Sequence, residues 1–117
     1  MTAHATPGHS PGSTTWTFDA CDGTNCRRTV YADSTSSISD DAFRFTDHSA
    51  YVTGFRNSLD RIATLPCDIL VTPHPAASAL YDRLAGQKPL IDPQACVRYA
   101  KAGADRLDQR LADEAKR

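Results

Sequence analysis

His9 is the residue of this sequence whose surroundings best suit a chemical role. It lies between two Pro-Gly pairs, in the stretch TPGHSPGS at positions 6–13. Proline fixes φ and glycine tolerates positive φ, so the backbone is expected to turn sharply on both sides of the imidazole. A ring held by a rigid loop between two strands is well placed to bind a metal ion. The alternative is an ordinary polar turn that contains a histidine.

A second histidine, His74, has comparable surroundings. The apolar segment at positions 69–71 is predicted to be a buried strand, and it runs directly into Thr72-Pro73-His74-Pro75. Loops at the ends of strands often carry binding residues because the sheet holds them in place. The two histidines are therefore predicted to lie on loops along one edge of a sheet, where they could share a site.

Three longer motifs contain these histidines or lie between them: GHSPGSTTW from Gly8, YADSTS from Tyr31 and LPCDILVTPHP from Leu65. In this order and spacing the motifs resemble the C-terminal half of metallo-β-lactamases of the third subclass, from about Thr2 to the end of the chain. The TPGH loop alone would indicate only the wider superfamily. The resemblance implies an α/β (α+β) fold, namely one half of an αβ/βα sandwich, with a mixed β-sheet and flanking helices.

The resemblance also implies which residues form the site. His9 matches a ligand of the first of two zinc ions and His74 a ligand of the second, whereas Ser34 and Ser36 match serines that line the substrate site. Of these two serines, Ser36 would hydrogen-bond the carboxylate of a β-lactam and orient the substrate. The implied activity is zinc-dependent hydrolysis of β-lactam antibiotics, in which a metal-bound hydroxide attacks the lactam carbonyl. The imidazoles would act as neutral ligands, and no residue of this chain is assigned as a catalytic acid, base or nucleophile. A solvated Ser-rich loop is the alternative for the two serines.

The H-x-H-x-D-H motif that anchors the zinc site of the family is absent from this sequence. A catalytic zinc ion normally has three protein ligands and a water molecule, so one ligand per ion is too few. We therefore interpret residues 1–117 as the C-terminal part of a single domain whose N-terminal half is absent, and we expect this chain to be inactive alone. Its partners would be that missing half and a small-molecule β-lactam substrate.

Two other interpretations remain open. The chain could be a fragment of another hydrolase of the superfamily, a lactonase or glyoxalase-like enzyme, in which Asp33 would be a metal-bridging ligand. The match of Ser34 to the third subclass favours a structural role for Asp33 instead. The chain could also be a non-catalytic, truncated polypeptide that binds a partner through an unpaired sheet. His4, on a strand face, and His48, in the first turn of a helix, are expected not to bind metal.

Composition agrees with a half-domain and excludes several functions. Leu, Ile, Val and Phe make up only 20 of the 117 residues, and the formal net charge is −1. Low apolar content without a charge excess suits strands that bury against another half rather than a disordered chain. The near-neutral charge gives no support for nucleic-acid binding, and no apolar run is long enough to predict a membrane span. Met1 is expected to be an artificial or truncated start, so export cannot be judged from it.

The four cysteines indicate the cellular compartment in which the protein is expected to fold. Cys21 and Cys26 flank a turn between two predicted strands, where a disulfide is geometrically reasonable, and a Cys67–Cys96 bridge would join a strand to a helix. Three pairings are possible. The pairing of Cys21 with Cys26 and of Cys67 with Cys96 is also what the resemblance implies. The alternative is four reduced thiols in a cytosolic protein. Two disulfides would indicate an oxidising compartment, so the protein is expected to be periplasmic or secreted.

Periodicity predicts the elements that position these residues. Strands are expected at residues 2–6, 13–18, 27–32 and 68–71, and a Ser/Asp-rich loop at residues 34–41. Helices are expected at residues 47–64, after a cap at Thr46 or Asp47, at residues 78–84, and from an Asp92-Pro93 start to the chain end. Trp16 and the helical stripe Tyr51, Phe55 and Leu59 are expected to be core.

Overall fold

The computed structural model describes residues 1–116 of the 117-residue chain. Four strands form one sheet in the order β1-β2-β3-β4, with β1, β2 and β3 antiparallel and β4 parallel to β3. The strands are β1 (Thr2–Ala5), β2 (Thr14–Asp22), β3 (Asn25–Tyr31) and β4 (Ile69–Val71). The helices are α1 (Ser49–Thr64), α2 (Leu80–Leu84) and α3 (Ala95–Ala115), with 3-10 turns at Phe45–Asp47 and Pro75–Ser78. The mixed sheet with flanking helices confirms the predicted fold class.

The helix starts differ from the predicted ones. Neither Thr46 nor Asp47 caps α1, which begins at Ser49 after the 3-10 turn. The final helix begins at Ala95 rather than at Pro93, although the Asp92 carboxylate still accepts a hydrogen bond from the backbone N–H of Gln94 at 3.0 Å. In the first case no side chain caps α1, and the backbone N–H of Thr46 in the preceding 3-10 turn donates to the Glu114 side chain.

One face of the sheet packs against the helices. Residues of β3 and β4 join those of α1 and α3 in a single buried apolar cluster, which includes Val30, Leu70, Phe55, Leu59 and Leu107. The inward positions of β2 are occupied instead by small polar residues, Thr15 and Thr17, which are buried. Hydrogen bonds satisfy their hydroxyls, since Thr15 Oγ1 lies 2.9 Å from Thr6 Oγ1 and Thr17 Oγ1 lies 3.0 Å from His4 Nε2.

The opposite face of the sheet is not covered by any described element, and Trp16 lies on it. Its side chain is 40% exposed, so the expectation that Trp16 is core is wrong. Strand alternation is the reason, because Thr15 and Thr17 occupy the inward face and force Trp16 outward. Trp16 pairs across the strands with Tyr31, which is 37% exposed. Phe55 and Leu59 are buried as expected, and Tyr51 is partly buried.

Two disulfides tie the fold together. Cys21 pairs with Cys26 across the β2–β3 hairpin, next to the tight turn at Gly23, whose φ is +63°. Cys67, just before β4, pairs with Cys96 in the first turn of α3. This is the pairing that the resemblance implied. Across residues 1–116, no helix has the length and apolar character that a membrane crossing would require.

Candidate functional site

The strand directions bring three loops to one edge of the sheet. β1, β3 and β4 run the same way, because β1 and β3 are both antiparallel to β2 and β4 is parallel to β3. The segments that leave the ends of these strands carry His9, Ser34 and His74 respectively. These loops therefore share an edge, which is the arrangement expected from the sequence. The disulfide-closed hairpin is at the opposite edge.

The His9 loop is anchored on α1 by hydrogen bonds to its backbone. The Tyr51 hydroxyl donates to the Gly8 carbonyl oxygen at 2.6 Å, and the Ser58 hydroxyl donates to the Pro7 carbonyl oxygen at 2.7 Å. Burial raises the pKa of the Tyr51 phenol, which keeps it protonated and able to donate. The loop is thus fixed against a helix as well as by its own turns.

Gly8 allows this close approach between loop and helix. A Cβ atom at position 8 would lie 2.5–2.7 Å from ring atoms of Phe55, which is itself buried. Glycine is required here by contact distance, since any side chain would push the loop away from α1. The position of His9 therefore depends on the small residue before it.

We expect Gly8→Ala to destabilise the protein by about 2 kcal/mol, because the added methyl overpacks against Phe55. Urea unfolding measures the change in the free energy of unfolding. Gly12→Ala is the matched control in the same loop, because a Cβ at Gly12 meets no atom within 4 Å. Equal stability of the two variants would show that the loop is not held against α1 as described.

The His9 ring is oriented by Ser36. Nδ1 of His9 lies 2.9 Å from the Ser36 carbonyl oxygen and 2.9 Å from the Ser36 hydroxyl. A carbonyl oxygen can only accept, so Nδ1 carries the proton and donates it. In a neutral imidazole the other nitrogen, Nε2, then has a free lone pair. Histidine ligands of metals commonly have this second contact, which fixes both the tautomer and the ring plane.

The serine segment is a connected set of hydrogen bonds. Ser34 Oγ lies 3.0 Å from Ser36 Oγ and accepts a hydrogen bond from the Ser36 backbone N–H at 3.3 Å. The Asp33 carboxylate accepts a hydrogen bond from the Ser34 backbone N–H at 2.7 Å, and the Asp33 carbonyl oxygen accepts one from the Tyr99 hydroxyl at 2.9 Å. Asp33 therefore stabilises the turn that presents the two serines.

His74 is an exposed residue just before the 3-10 turn at Pro75–Ser78. Its carbonyl oxygen accepts hydrogen bonds from the backbone N–H of Ala77 at 2.9 Å and from the Thr72 hydroxyl at 2.8 Å. Thr72 is 3% exposed, so the bond to its hydroxyl ties His74 to the end of β4. Local polar contacts thus hold the His74 turn, much as α1 holds the His9 loop.

His9 also lines a cavity that the sequence did not predict. The cavity has a volume of about 350 Å³, and its walls include Phe43, His48 and Tyr51. His48 is exposed, as expected, but its ring stacks on Phe43 with centroids 4.5 Å apart and planes inclined by 2°. The closely spaced aromatic residues from Phe43 to Tyr51 are the sequence feature that could have indicated this cavity. Of these, only Tyr51, in the predicted helix, was predicted to have a packing role.

Glu114 holds the segment that carries Phe43 and His48. Its carboxylate is fully buried and accepts hydrogen bonds from the backbone N–H groups of Phe45 and Thr46, at 3.1 and 2.9 Å. Arg110 Nε donates to the same carboxylate at 2.8 Å. Burial alone would raise the pKa of Glu114, but the hydrogen bonds from Thr46, Arg110 and Phe45 outweigh it and lower the pKa to about 2. The carboxylate is therefore ionised and fixes one wall of the cavity.

The donor set of the chain fits only part of a zinc site. Within residues 1–116, no three His, Cys, Asp or Glu side chains lie close enough together to hold a metal ion. His9, with Nε2 free, has the form of a single ligand, and His74 stands on a neighbouring loop. The remaining ligands of a catalytic zinc site would have to come from another part of a longer polypeptide or from another chain.

Comparisons with solved structures identify the family. The metallo-β-lactamase MIM-1 from Novosphingobium pentaromativorans is 52% identical with a TM-score of 0.93, over 97% of this chain and 42% of that one. MEM-A1, a subclass B3 enzyme from a soil metagenome library, is 36% identical with a TM-score of 0.91, over 98% and 47%. BJP-1, a subclass B3 enzyme of Bradyrhizobium japonicum, is 29% identical with a TM-score of 0.85, over 98% and 46%. No protein-family model matches the chain.

These similarities extend over nearly the whole of this chain, whereas the chain spans less than half the length of each enzyme. The match is thus to a part of those enzymes. The resemblance to the third subclass is confirmed: in sequence and in fold, this chain is the counterpart of part of a subclass B3 metallo-β-lactamase.

Proposed function

We propose that this chain is the C-terminal part of a zinc-dependent β-lactam hydrolase, in which His9 and His74 each provide one ligand to a different zinc ion. The hydrogen bond from His9 Nδ1–H to the Ser36 carbonyl oxygen carries this proposal, because it leaves Nε2 free and fixes the ring plane. Zinc, when bound, supplies an activated water molecule as nucleophile and stabilises the negative charge that develops during hydrolysis.

Ser34 and Ser36 are proposed to have different tasks. In the contact between His9 and the Ser36 hydroxyl, the proton comes from Nδ1 of His9. The Ser36 hydroxyl can therefore donate its own proton to Ser34 Oγ, 3.0 Å away. The proton of Ser34 then stays available for an acceptor outside the chain, such as the carboxylate of a β-lactam. In this arrangement Ser36 orients His9 and Ser34, and Ser34 contacts the substrate carboxylate in place of Ser36, which the resemblance implied.

The uncovered sheet face is proposed to pack against the N-terminal half of the domain. Trp16 and Tyr31 form an exposed cross-strand pair of aromatic residues on it, and an apolar sheet face normally packs against another layer. The two layers together would give the αβ/βα sandwich. We thus propose both that the chain is the C-terminal part of the domain and that its partner is the N-terminal half.

The compartment proposed for the enzyme is the periplasm or the extracellular space. Both cysteine pairs form disulfides, which persist in oxidising surroundings. A β-lactam hydrolase at that location would contribute to antibiotic resistance. A lactonase or glyoxalase-like fragment is less well supported, because the solved structures that the chain resembles are metallo-β-lactamases.

The test is reconstitution from two parts. The chain with excess zinc is expected to hydrolyse no nitrocefin above background. Addition of a polypeptide that carries the H-x-H-x-D-H portion of a subclass B3 enzyme should restore hydrolysis that a chelator abolishes. Chelator-sensitive turnover by the chain alone would contradict the proposal.

Trp16 reports assembly independently of activity, since it is the single tryptophan of the chain. If the added half carries no tryptophan, its packing on the sheet should shift the Trp16 emission to shorter wavelength. A blue shift without hydrolysis would contradict the zinc-ligand roles, whereas an unchanged spectrum would contradict the proposed packing.

A further inference from the structure

A second cavity lies on the helix side of β4, away from the His9 cavity, and its volume is about 510 Å³. It is bounded by Leu70 of β4, by the 3-10 turn after His74, and by residues 88–92 and α3. Its charged lining residues are Arg83, Lys88, Asp92, Arg98 and Arg106. Four cationic residues and one acidic residue thus line this cavity, in a chain whose formal net charge is −1.

Arg83 is the most deeply placed of these cations. It is 7% exposed, and its Nη atoms donate to the carbonyl oxygens of Leu70, Ser78 and Leu90 at 2.6, 3.2 and 2.8 Å. Its Nε atom is buried and has no partner within residues 1–116. A buried donor without an acceptor costs free energy, so Arg83 is a cation beside the cavity that keeps one N–H group unpaired.

The other cations have few anionic contacts. Asp92 forms an ion pair with Arg98, and the Asp92 side chain is 28% exposed. Arg106 donates from Nη2 to the neutral Thr35 hydroxyl at 2.9 Å. Because one carboxylate can neutralise only one of the four cations, the cavity retains an excess of positive charge. Burial lowers the pKa of the Arg83 guanidinium, and the nearby Asp92 charge opposes that shift.

We propose that this cavity is a binding site for a small oxyanion of the phosphate type. Guanidinium groups bind tetrahedral and planar oxyanions through paired N–H donors, and Lys88 would add a mobile point charge at the rim. The cavity is distinct from the proposed zinc site, because its lining does not include His9, Ser34, Ser36 or His74.

The experiment uses inorganic phosphate as the probe and the 117-residue chain as the protein. Saturable binding is expected by isothermal titration calorimetry at constant ionic strength. Lys88→Gln, which removes an exposed cation, should weaken binding by about fivefold. Asp92→Asn should strengthen binding by a similar factor, since it removes the single carboxylate but keeps an acceptor for the Gln94 backbone N–H.

Lys101→Gln is the control for net charge. It removes an equal charge from the exposed surface of α3, where Lys101 pairs with Asp105 outside the cavity, and it should leave the phosphate affinity unchanged. The proposal would be overturned by absence of saturable binding at millimolar phosphate, by equal weakening in Lys101→Gln and Lys88→Gln, or by chloride binding as tightly as phosphate.

Discussion

Replacement of His9 by alanine in the reconstituted or complete enzyme is expected to lower kcat/KM for β-lactams by more than a hundredfold. Even residues that only contact a metal ligand typically cost 10–100-fold when removed, and His9 is proposed to be the ligand itself. The variant should also bind less zinc, because one nitrogen donor is lost. Nitrocefin kinetics and the zinc content of the same preparation measure the two effects.

His4→Ala is the control for that experiment. His4 lies on β1 and contacts Thr17 rather than the loops of the site, so the variant should keep its zinc and most of its activity. Ser36→Ala should show how much the hydroxyl and the carbonyl oxygen of Ser36 each contribute to the orientation of the His9 ring. The variant removes the hydroxyl and leaves the carbonyl oxygen that His9 Nδ1 contacts. Full activity and full zinc content in His9→Ala would exclude His9 as a ligand.

Much of the site was predictable because its determinants are local in sequence. The Pro-Gly pairs around His9 and the prolines around His74 favour those turns locally, and contacts with α1 add to this at the His9 loop. The directions of β1 and β4 in the sheet then place both loops at the same edge. The orientation of the His9 ring was not predictable, since the Ser36 carbonyl that holds it is 27 positions away.

The features that the sequence did not predict depend on contacts between distant residues. Residues 45–47 form a separate 3-10 turn before α1, and Glu114 binds two backbone N–H groups of this turn, 68 and 69 positions earlier in the chain. Trp16 was expected in the core, but the threonines on either side of it occupy the inward face of β2. The alternation of these residues places Trp16 opposite the threonines but does not indicate which face is inward.

Glu114→Gln is expected to destabilise the protein by about 3 kcal/mol, because it removes a buried charge whose partners remain. Arg110 would lose its carboxylate at 2.8 Å, and its guanidinium lies 5.6 Å from the ring centroid of Phe45 in the same cluster. Urea unfolding at neutral pH measures the loss. Asp113→Asn is the matched control, since Asp113 is exposed and the variant should lose less than about 1 kcal/mol.

The pH dependence of the free energy of unfolding distinguishes the effect of the Glu114 charge from the effect of its packing. The folded-state pKa is about 2, below the ordinary value of 4.5, so the carboxylate contributes its full stabilisation above about pH 4.5. That contribution falls as the pH decreases from about 4.5 to about 2, because the unfolded chain takes up the proton first. Glu114→Gln has no such proton to bind and should show a weaker decline across this range. Parallel acid-unfolding profiles for the native chain and Glu114→Gln would show that Glu114 is not held as an ionised carboxylate.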